Sequence, residues 1–488
     1  MVEKDRDLVS KLDPQTRIVL QFALNCVSPD DGKYGGDFAP LKPYLSERAE
    51  WLACANLQAL LLETRMEFGQ AEQKHVDEMR EALKKINPLN IALLEKDRSI
   101  NHDQLAVLEE IGRHVSPETK ALLHPGTTSY DILDTVRSHL YISAWADVIR
   151  PEVTKSIMQM CDIADKSLEV LQIGRTHLQN TSPVPFGATI AGYAARLVER
   201  TEKCDSNFFS LKGKISGIVG TGASIEAVIG EGLGLEFERR VLKKLDLKPD
   251  KTATQIVQKE GLVDVGNGLV TLSGVLGNFA NDMRMLYSSA IGEVTSRDNK
   301  ESLGGSSADA TKNNPIMWEN IAGKVVVIES GMRVLYEMMR TDFQRDLRGS
   351  VQARYQPRAM MAETFEAFSR LNKALPQLSL NYDRIEQNLR SYRYNPSEAM
   401  VAILRGEGWS HSQYGVGHDF VKHVGKLAQT SRKKLLDVAK EDGEFSALFD
   451  SLPDNKRRIL NGEVELYTGH SIERARDNIV NSRAFAST

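Results

Sequence analysis

Cysteine is scarce in this sequence and poorly placed for chemistry. Four occur in 488 residues, Cys26, Cys54, Cys161 and Cys204, and none sits in a CxxC pair. That spacing excludes a disulfide-built scaffold and predicts free, mostly buried thiols in a reducing compartment. The ten histidines contain no HExxH pair, and no Cys/His cluster has zinc spacing. No metal is expected. Long apolar runs are missing too. The most apolar long stretch, Leu262 to Phe279, carries Asp264 and Asn267, so no bilayer-spanning segment is expected. The opening MVEKDRDLVSKLD is charged, and no secretory leader is expected there. A net charge of -4 argues against nucleic acid or an anionic membrane as a partner, although a local basic pocket fits within it. The remaining composition, 41% hydrophobic and 26% charged, is that of a soluble cytoplasmic enzyme large enough for two or three domains.

Helical periodicity is what the sequence has in abundance. Leu262, Val265, Leu269, Leu272, Leu276, Phe279, Met283 and Leu286 follow one another at spacings of three and four, which draws one apolar stripe along a long helix. Ile321, Val325, Ile328, Met332, Leu335 and Met339 repeat the pattern. Ile190, Ala194, Leu197, Cys204, Phe208 and Leu211 do so more weakly. Small residues on the other faces (Gly274, Gly277, Ala280, Ala290) favour a bundle of near-parallel helices buried on several sides over a two-stranded coiled coil. The fold class expected is all-α.

His124-Pro125-Gly126-Thr127-Thr128-Ser129 and Ser182-Pro183-Val184-Pro185 each end one helix and start another. Beyond Asn381 the seams shorten and the chain becomes more polar. Three domains are expected: residues 1–123, a central long-helix bundle over 124–380, and a smaller helical domain over 381–488. Gly217-Ile218-Val219-Gly220-Thr221-Gly222 resembles the start of a dinucleotide fingerprint, but Ile225 stands at the third glycine position and no strand pattern precedes it. A bend between helices is expected there, and no cofactor.

The most informative segment separates the two strong seams. Gly305-Ser306-Ser307 supplies small hydroxyls and closely spaced N–H donors. Lys312 adds positive charge, Asn314 an amide, and Pro315 with Glu319 can open the next helix. Two readings stand on these residues alone: a polar connector, or a clamp for a substrate carboxylate that stabilises a developing carbanion.

The same loop resembles the signature GSSxMPxKxNP of the aspartase/fumarase superfamily, with a Glu four residues after the Pro. HPGTTSYDILD, ending at Asp134, is similar to that family's HxGxTSxD, and Gly174 to Gln179 to its GRTHxQ. Ser28 to Tyr34 (SPDDGKY), Asn101-His102-Asp103, Lys214 to Thr221, Thr254-Gln255, and the spacing of Arg345, Ser350 and Arg354 resemble its purine-nucleotide branch. Three departures stand out: Asp309-Ala310 replaces Met-Pro, Lys33 replaces Arg, and Arg348-Gly349 replaces Thr-Asp.

The resemblance implies an all-α, three-domain aspartase/fumarase-like fold whose long-helix bundle forms the core of a homotetramer, with sites shared between subunits. It implies elimination of fumarate from a succinylated purine nucleotide, without a cofactor. Ser306 would be the base, activated by Lys312 and backbone N–H groups, and His177 the general acid beside Glu319. Thr128 and Ser129 would bind a carboxylate; Lys33, Tyr34, Arg345, Ser350 and Arg354 the phosphate or ribose; His102 and His124 would be substrate-phosphate or secondary acid/base groups; and Asp103, Thr176, Gln255 and Asn314 would contact the substrate. Two alternatives remain open. One is a sibling lyase acting on argininosuccinate, fumarate/malate or a cyclic muconate. The other is a non-catalytic structural or binding paralogue, for which Asp309-Ala310 speaks most directly.

Overall fold

The computed structural model describes residues 8–297, 308–309 and 312–487. The elements that carry the argument are α1 (Glu47–Glu67), α2 (Asp103–Gly112), α3 (Ser129–Ala144), α4 (Arg150–Lys166), β1 (Leu171–Thr176), β2 (Gln179–Pro185), α5 (Phe186–Phe208), α6 (Glu260–Tyr287), α7 (Ile316–Ser330), α8 (Met332–Met338) and α9 (Arg348–Ala374). The fold is all-α; strands among the described residues pair only two at a time. The chain groups into two compact units of three segments each. One holds Met1–Val153, Arg200–Gly274 and Gly323–Ser369; the other holds Thr154–Glu199, Val275–Ala322 and Arg370–Thr488.

In the first unit α1 supplies the core stripe Trp51, Cys54, Leu57, Leu61 and Leu62. Ser46 starts it, its hydroxyl accepting from Ala49 N–H at 3.1 Å, as an N-cap residue does. The expected seam on α6 is present, with Val265, Leu269 and Leu272 buried in this unit. Two glycines show why the helix is buried on several sides. A Cβ at Gly266 would meet Leu335 Cδ1 at 2.3 Å, and one at Gly268 would meet Cys204 Sγ at 3.1 Å. Two neighbouring helices therefore approach the α6 backbone closely.

The second seam departs from expectation. It is broken at Gly331 into α7 and α8, because the backbone there runs against α9: a Cβ at Gly331 would meet Gln356 Nε2 at 2.4 Å and Met360 Sδ at 2.6 Å. The third seam ends at Phe208, and Leu211 lies beyond α5.

In the second unit, Phe279 packs edge-on against Tyr193 (5.2 Å between ring centroids) and Trp318 (5.7 Å). The segment around Pro183 and Pro185 is a strand, not a helix boundary alone. It forms a hairpin, β1 pairing β2 antiparallel with a register shift between Ile173 and Arg175. Gly174 sits at that irregularity, where a Cβ would meet Ser182 O at 2.6 Å. A separate apolar core, with Met400, Leu404, Phe420, Leu435, Phe445 and Leu460, lies in the C-terminal stretch of this unit.

Candidate active site

The sequence-expected site residues divide between the units. Lys33, Tyr34, His102, Asp103, His124, Thr128, Ser129, Gln255, Arg345, Ser350 and Arg354 belong to the first; Thr176, His177, Lys312, Asn314 and Glu319 to the second. Ser306 lies outside the described residues.

In the first unit the start of α3 is the organising feature. Thr128 and Asp131 form a capping box, and Asp131 Oδ2 accepts Thr128 N–H at 2.7 Å. The same carboxylate accepts Ser216 N–H at 2.9 Å and Gly217 N–H at 3.2 Å, and it pairs with the fully buried ammonium of Lys214. Gly217 has φ +79°, and a Cβ there would meet Ser224 Oγ at 2.6 Å. The bend expected at this glycine cluster thus holds a helix N-terminus in place, where N–H groups and the helix dipole favour an anion. Ser129 Oγ lies 3.2 Å from His102 Nε2. His102 Nδ1 accepts Leu105 N–H at 3.4 Å, so in the neutral ring Nε2 donates to Ser129. Asp103 Oδ1 accepts Gln104 N–H at 2.7 Å.

His124 takes φ +63° directly before Pro125, a costly backbone state of the kind that persists where surroundings impose it. Its Nδ1 meets Gln58 Nε2 at 2.9 Å. Burial pushes its pKa below the ordinary histidine value, with Asp131 opposing and His102 adding to the shift. Burial thus favours the neutral ring.

A second cluster adjoins it. Arg345 donates to Gln255 Oε1 and to Ser350 Oγ, each at 2.9 Å, and its guanidinium carbon lies 4.1 Å from the Tyr130 ring centroid. Both acceptors are neutral. Among the described residues no carboxylate pairs with Arg345, so its charge stays available to an incoming anion. Arg354 is exposed on α9 and acts electrostatically on Glu47 and Glu95, whose pKa values burial raises and Arg354 lowers. Lys33 is exposed, 5.1 Å from the ring of its neighbour Tyr34.

The SPDDGKY segment has a further role that sequence reasoning missed. Asp31 is buried and accepts Val27 N–H at 2.6 Å, while Ser28 Oγ donates to Glu363 at 2.8 Å. Asp30, Glu363 and Glu366 bring carboxylate oxygens within 4.8 Å of one another, and the ammonium of Lys324 bonds to all three. A lysine thus supplies the cation there. Burial alone would lower its pKa, but the three carboxylates hold it well above the usual lysine value.

In the second unit His177 stands at the tip of the β1–β2 hairpin. It has φ +53° and Leu178 has φ +60°, the two left-handed positions of a type I′ turn that normally fall to Asn and Gly. His177 is exposed, and Leu178 is 69% exposed. The hairpin is anchored below its tip. Arg175 donates to both oxygens of the buried Glu293, at 3.1 Å and 2.5 Å, and Asn388 donates to the same carboxylate at 2.7 Å. Arg175 of the GRTH segment therefore ties the hairpin to the residue just before Val294–Ser296, the short strand that leads toward the signature loop. Thr176 and Lys312 are exposed, Asn314 is half-buried, and Glu319 is exposed in the first turn of α7. Among the described residues no hydrogen bond or ion pair joins His177 to Glu319. Asp309 is exposed.

Comparison with known proteins places this arrangement. The chain belongs to the lyase family, whose pattern matches residues 39–329. It is an enzyme of that class. It is 25% identical to the adenylosuccinate lyase of Archaeoglobus fulgidus over 452 residues, 92% of this chain and 97% of that protein. It is 28% identical to the adenylosuccinate lyase of Aquifex aeolicus over 380 residues, 75% of this chain and 83% of that one. Its fold is similar to a fumarate lyase from Mesorhizobium sp. BNC1 (TM-score 0.75, 19% identity, 90% of this chain and 97% of that one). It is also similar to the 3-carboxy-cis,cis-muconate lactonizing enzyme of Pseudomonas putida (TM-score 0.78, 18% identity, 91% and 97%).

Proposed function

We propose that this chain is an adenylosuccinate lyase, which eliminates fumarate from adenylosuccinate to leave AMP, and that it also cleaves the succinylated aminoimidazole carboxamide ribotide. The observation that carries this reading is Arg345, a guanidinium held by Gln255, Ser350 and Tyr130 with no carboxylate partner among the described residues. A fumarate-releasing lyase whose substrate lacks phosphate has no need of such a group. Similarity to adenylosuccinate lyases over most of the chain supports the same substrate.

Ser306 takes the proton from the carbon beside one carboxylate of the succinyl group, and the carbanion delocalises into that carboxylate. Lys312 and loop N–H groups stabilise the developing charge. The C–N bond then breaks, its electron pair leaves with nitrogen, and His177 protonates the nitrogen. Thr128 and Ser129 at the α3 N-terminus bind a succinyl carboxylate, and Asp103, Thr176, Gln255 and Asn314 contact the substrate. His102 and His124 serve the phosphate or a secondary acid/base step. Lys33, Tyr34 and Arg354 assist Arg345 at the phosphate.

The working form is a cytoplasmic homotetramer, with sites built from more than one subunit. Val326, Val327, Phe343, Leu347, Val351 and Tyr355 are all more than half exposed, and large apolar side chains left to water favour association. The domain limits 1–123, 124–380 and 381–488 remain part of this reading, and the separate C-terminal core supports the last of them.

The test is to mix purified protein with adenylosuccinate and follow fumarate and AMP. Ser306→Ala is expected to lower turnover by at least about a hundredfold, the scale of a lost general base, with binding retained. Absence of fumarate release from adenylosuccinate sinks the assignment, and near-normal turnover in Ser306→Ala moves the base to Ser307.

A further inference from the structure

Lys259 is 4% exposed, a costly place for an ammonium. Its Nζ donates to Asp134 Oδ2 at 2.7 Å, and that oxygen also accepts Val257 N–H at 2.9 Å. The ammonium lies 5.9 Å from the Tyr130 ring centroid, the ring on which Arg345 rests at 4.1 Å. Tyr130 is itself 4% exposed. Lys259 also forms a shared wall. On one side is a cavity of about 460 Å³ lined by Asp134, Arg137, Tyr141, Leu262 and Ala353; on the other is the small recess that holds Arg345 and Ser350. Lys259 thus separates the larger cavity from the recess, and the Tyr130 ring lies between its ammonium and the Arg345 guanidinium as a shared contact.

Charge points the same way. The positive charge of Arg345 acts on Lys259, and Asp134 is the carboxylate that answers Lys259. Burial pushes the Lys259 pKa down and Asp134 pulls it back up. If neutralising Asp134 were the whole purpose, a neutral pair would fill the place at less desolvation cost. What a neutral pair would not supply is positive potential behind the guanidinium that meets the anion.

We propose that Lys259, clamped by Asp134, is a positioning residue for the phosphate subsite: it holds Tyr130, and through it Arg345, in the anion-binding pose. The inference rests on the phosphate role given to Arg345 above. Lys259 touches no substrate. Its effect falls on binding that is equal in ground and transition states, so it appears in KM and leaves kcat nearly unchanged.

The experiment compares Lys259→Met, Lys259→Arg and the double variant Asp134→Asn/Lys259→Met in the full-length protein. KM and kcat for adenylosuccinate, calorimetric affinity for AMP, and Tm are measured on each. Lys259→Met is expected to raise KM by about tenfold or more and weaken AMP in proportion, with kcat within about threefold. Lys259→Arg restores both to within about threefold. The double variant recovers Tm, because no buried carboxylate is left unpaired, yet keeps the raised KM. A double variant with wild-type KM and AMP affinity overturns the proposal, since Lys259 would then only neutralise Asp134. So does a fall in kcat at constant KM. If the wild-type protein binds AMP but releases no fumarate from adenylosuccinate, the functional reading fails, and the AMP affinities alone decide the role of Lys259.

Discussion

His177 and Leu178 occupy a turn whose backbone suits Asn and Gly, and together they store on the order of 1–3 kcal/mol each in left-handed conformations. Arg175 and Glu293 anchor the strand below them, so the turn that carries the exposed imidazole is held in place. The imidazole's expected carboxylate partner, Glu319, is equally exposed and makes no bond to it among the described residues. The proposed mechanism has the two act as a pair. Glu319→Gln is therefore expected to shift the limb of the pH–rate profile that reports His177. His177→Ala and Glu319→Gln should each cost most of what the double change costs. Strict additivity of the two losses in activity would show that they do not work together.

Helix α3 shows how one element gathers a site. Its first turn is held by Asp131, which serves at once as the capping-box partner of Thr128, the acceptor for Ser216 and Gly217 N–H, and the counter-ion of Lys214. Removing that charge leaves a fully buried ammonium unpaired. Asp131→Asn should cost about 3–5 kcal/mol, read as a lowered denaturation midpoint, with weaker binding of the succinyl carboxylates. Asp131→Asn with Lys214→Met should regain most of the stability but not the binding. A single variant as stable as wild type would show that the pair contributes no net stabilisation.

Across the whole molecule, acid should find one weak point early. Glu50 is buried between Arg137 and Arg358. Burial alone would raise its pKa from 4.5, but the two guanidinium groups outweigh it and hold the value at about 2. The folded value lies below the unfolded one. The stabilisation is therefore complete above about pH 4.5 and is lost as pH falls toward about 2, roughly 3 kcal/mol in all. His124 acts in the same direction at higher pH: its depressed pKa makes the fold lose stability as pH drops below the ordinary histidine range. Glu50→Gln should lower stability at neutral pH and flatten the acid limb of a stability–pH curve; an unchanged limb would rule out the linkage. Assembly is tested by mixing Ser306→Ala and His177→Ala proteins under proven subunit exchange. Activity should return in part if different chains supply the two residues, and no recovery would assign both to one chain's site.

Much of this was legible in the sequence because helices write their packing locally. The seam from Leu262 to Leu286 predicts α6 directly, since its 3.6-residue period needs no knowledge of partners. The motif spacings likewise marked Thr128, Ser129, Gln255, Arg345 and Ser350, which the structure brings into neighbouring clusters. The break at Gly331 was not legible, because its cause is the approach of Met360 from another helix. Nor was the hairpin under His177, where two prolines read as a helix boundary and only pairing with β1 makes a strand. The pairs Asp131–Lys214 and Asp134–Lys259 lie 83 and 125 residues apart. No local pattern announces such pairs, because a buried charge chooses its counter-ion by proximity in space. The sequence by itself determined which residue types and spacings the chain carries; the tertiary structure alone decided which charges are compensated and which, as at Arg345, meet no carboxylate among the described residues.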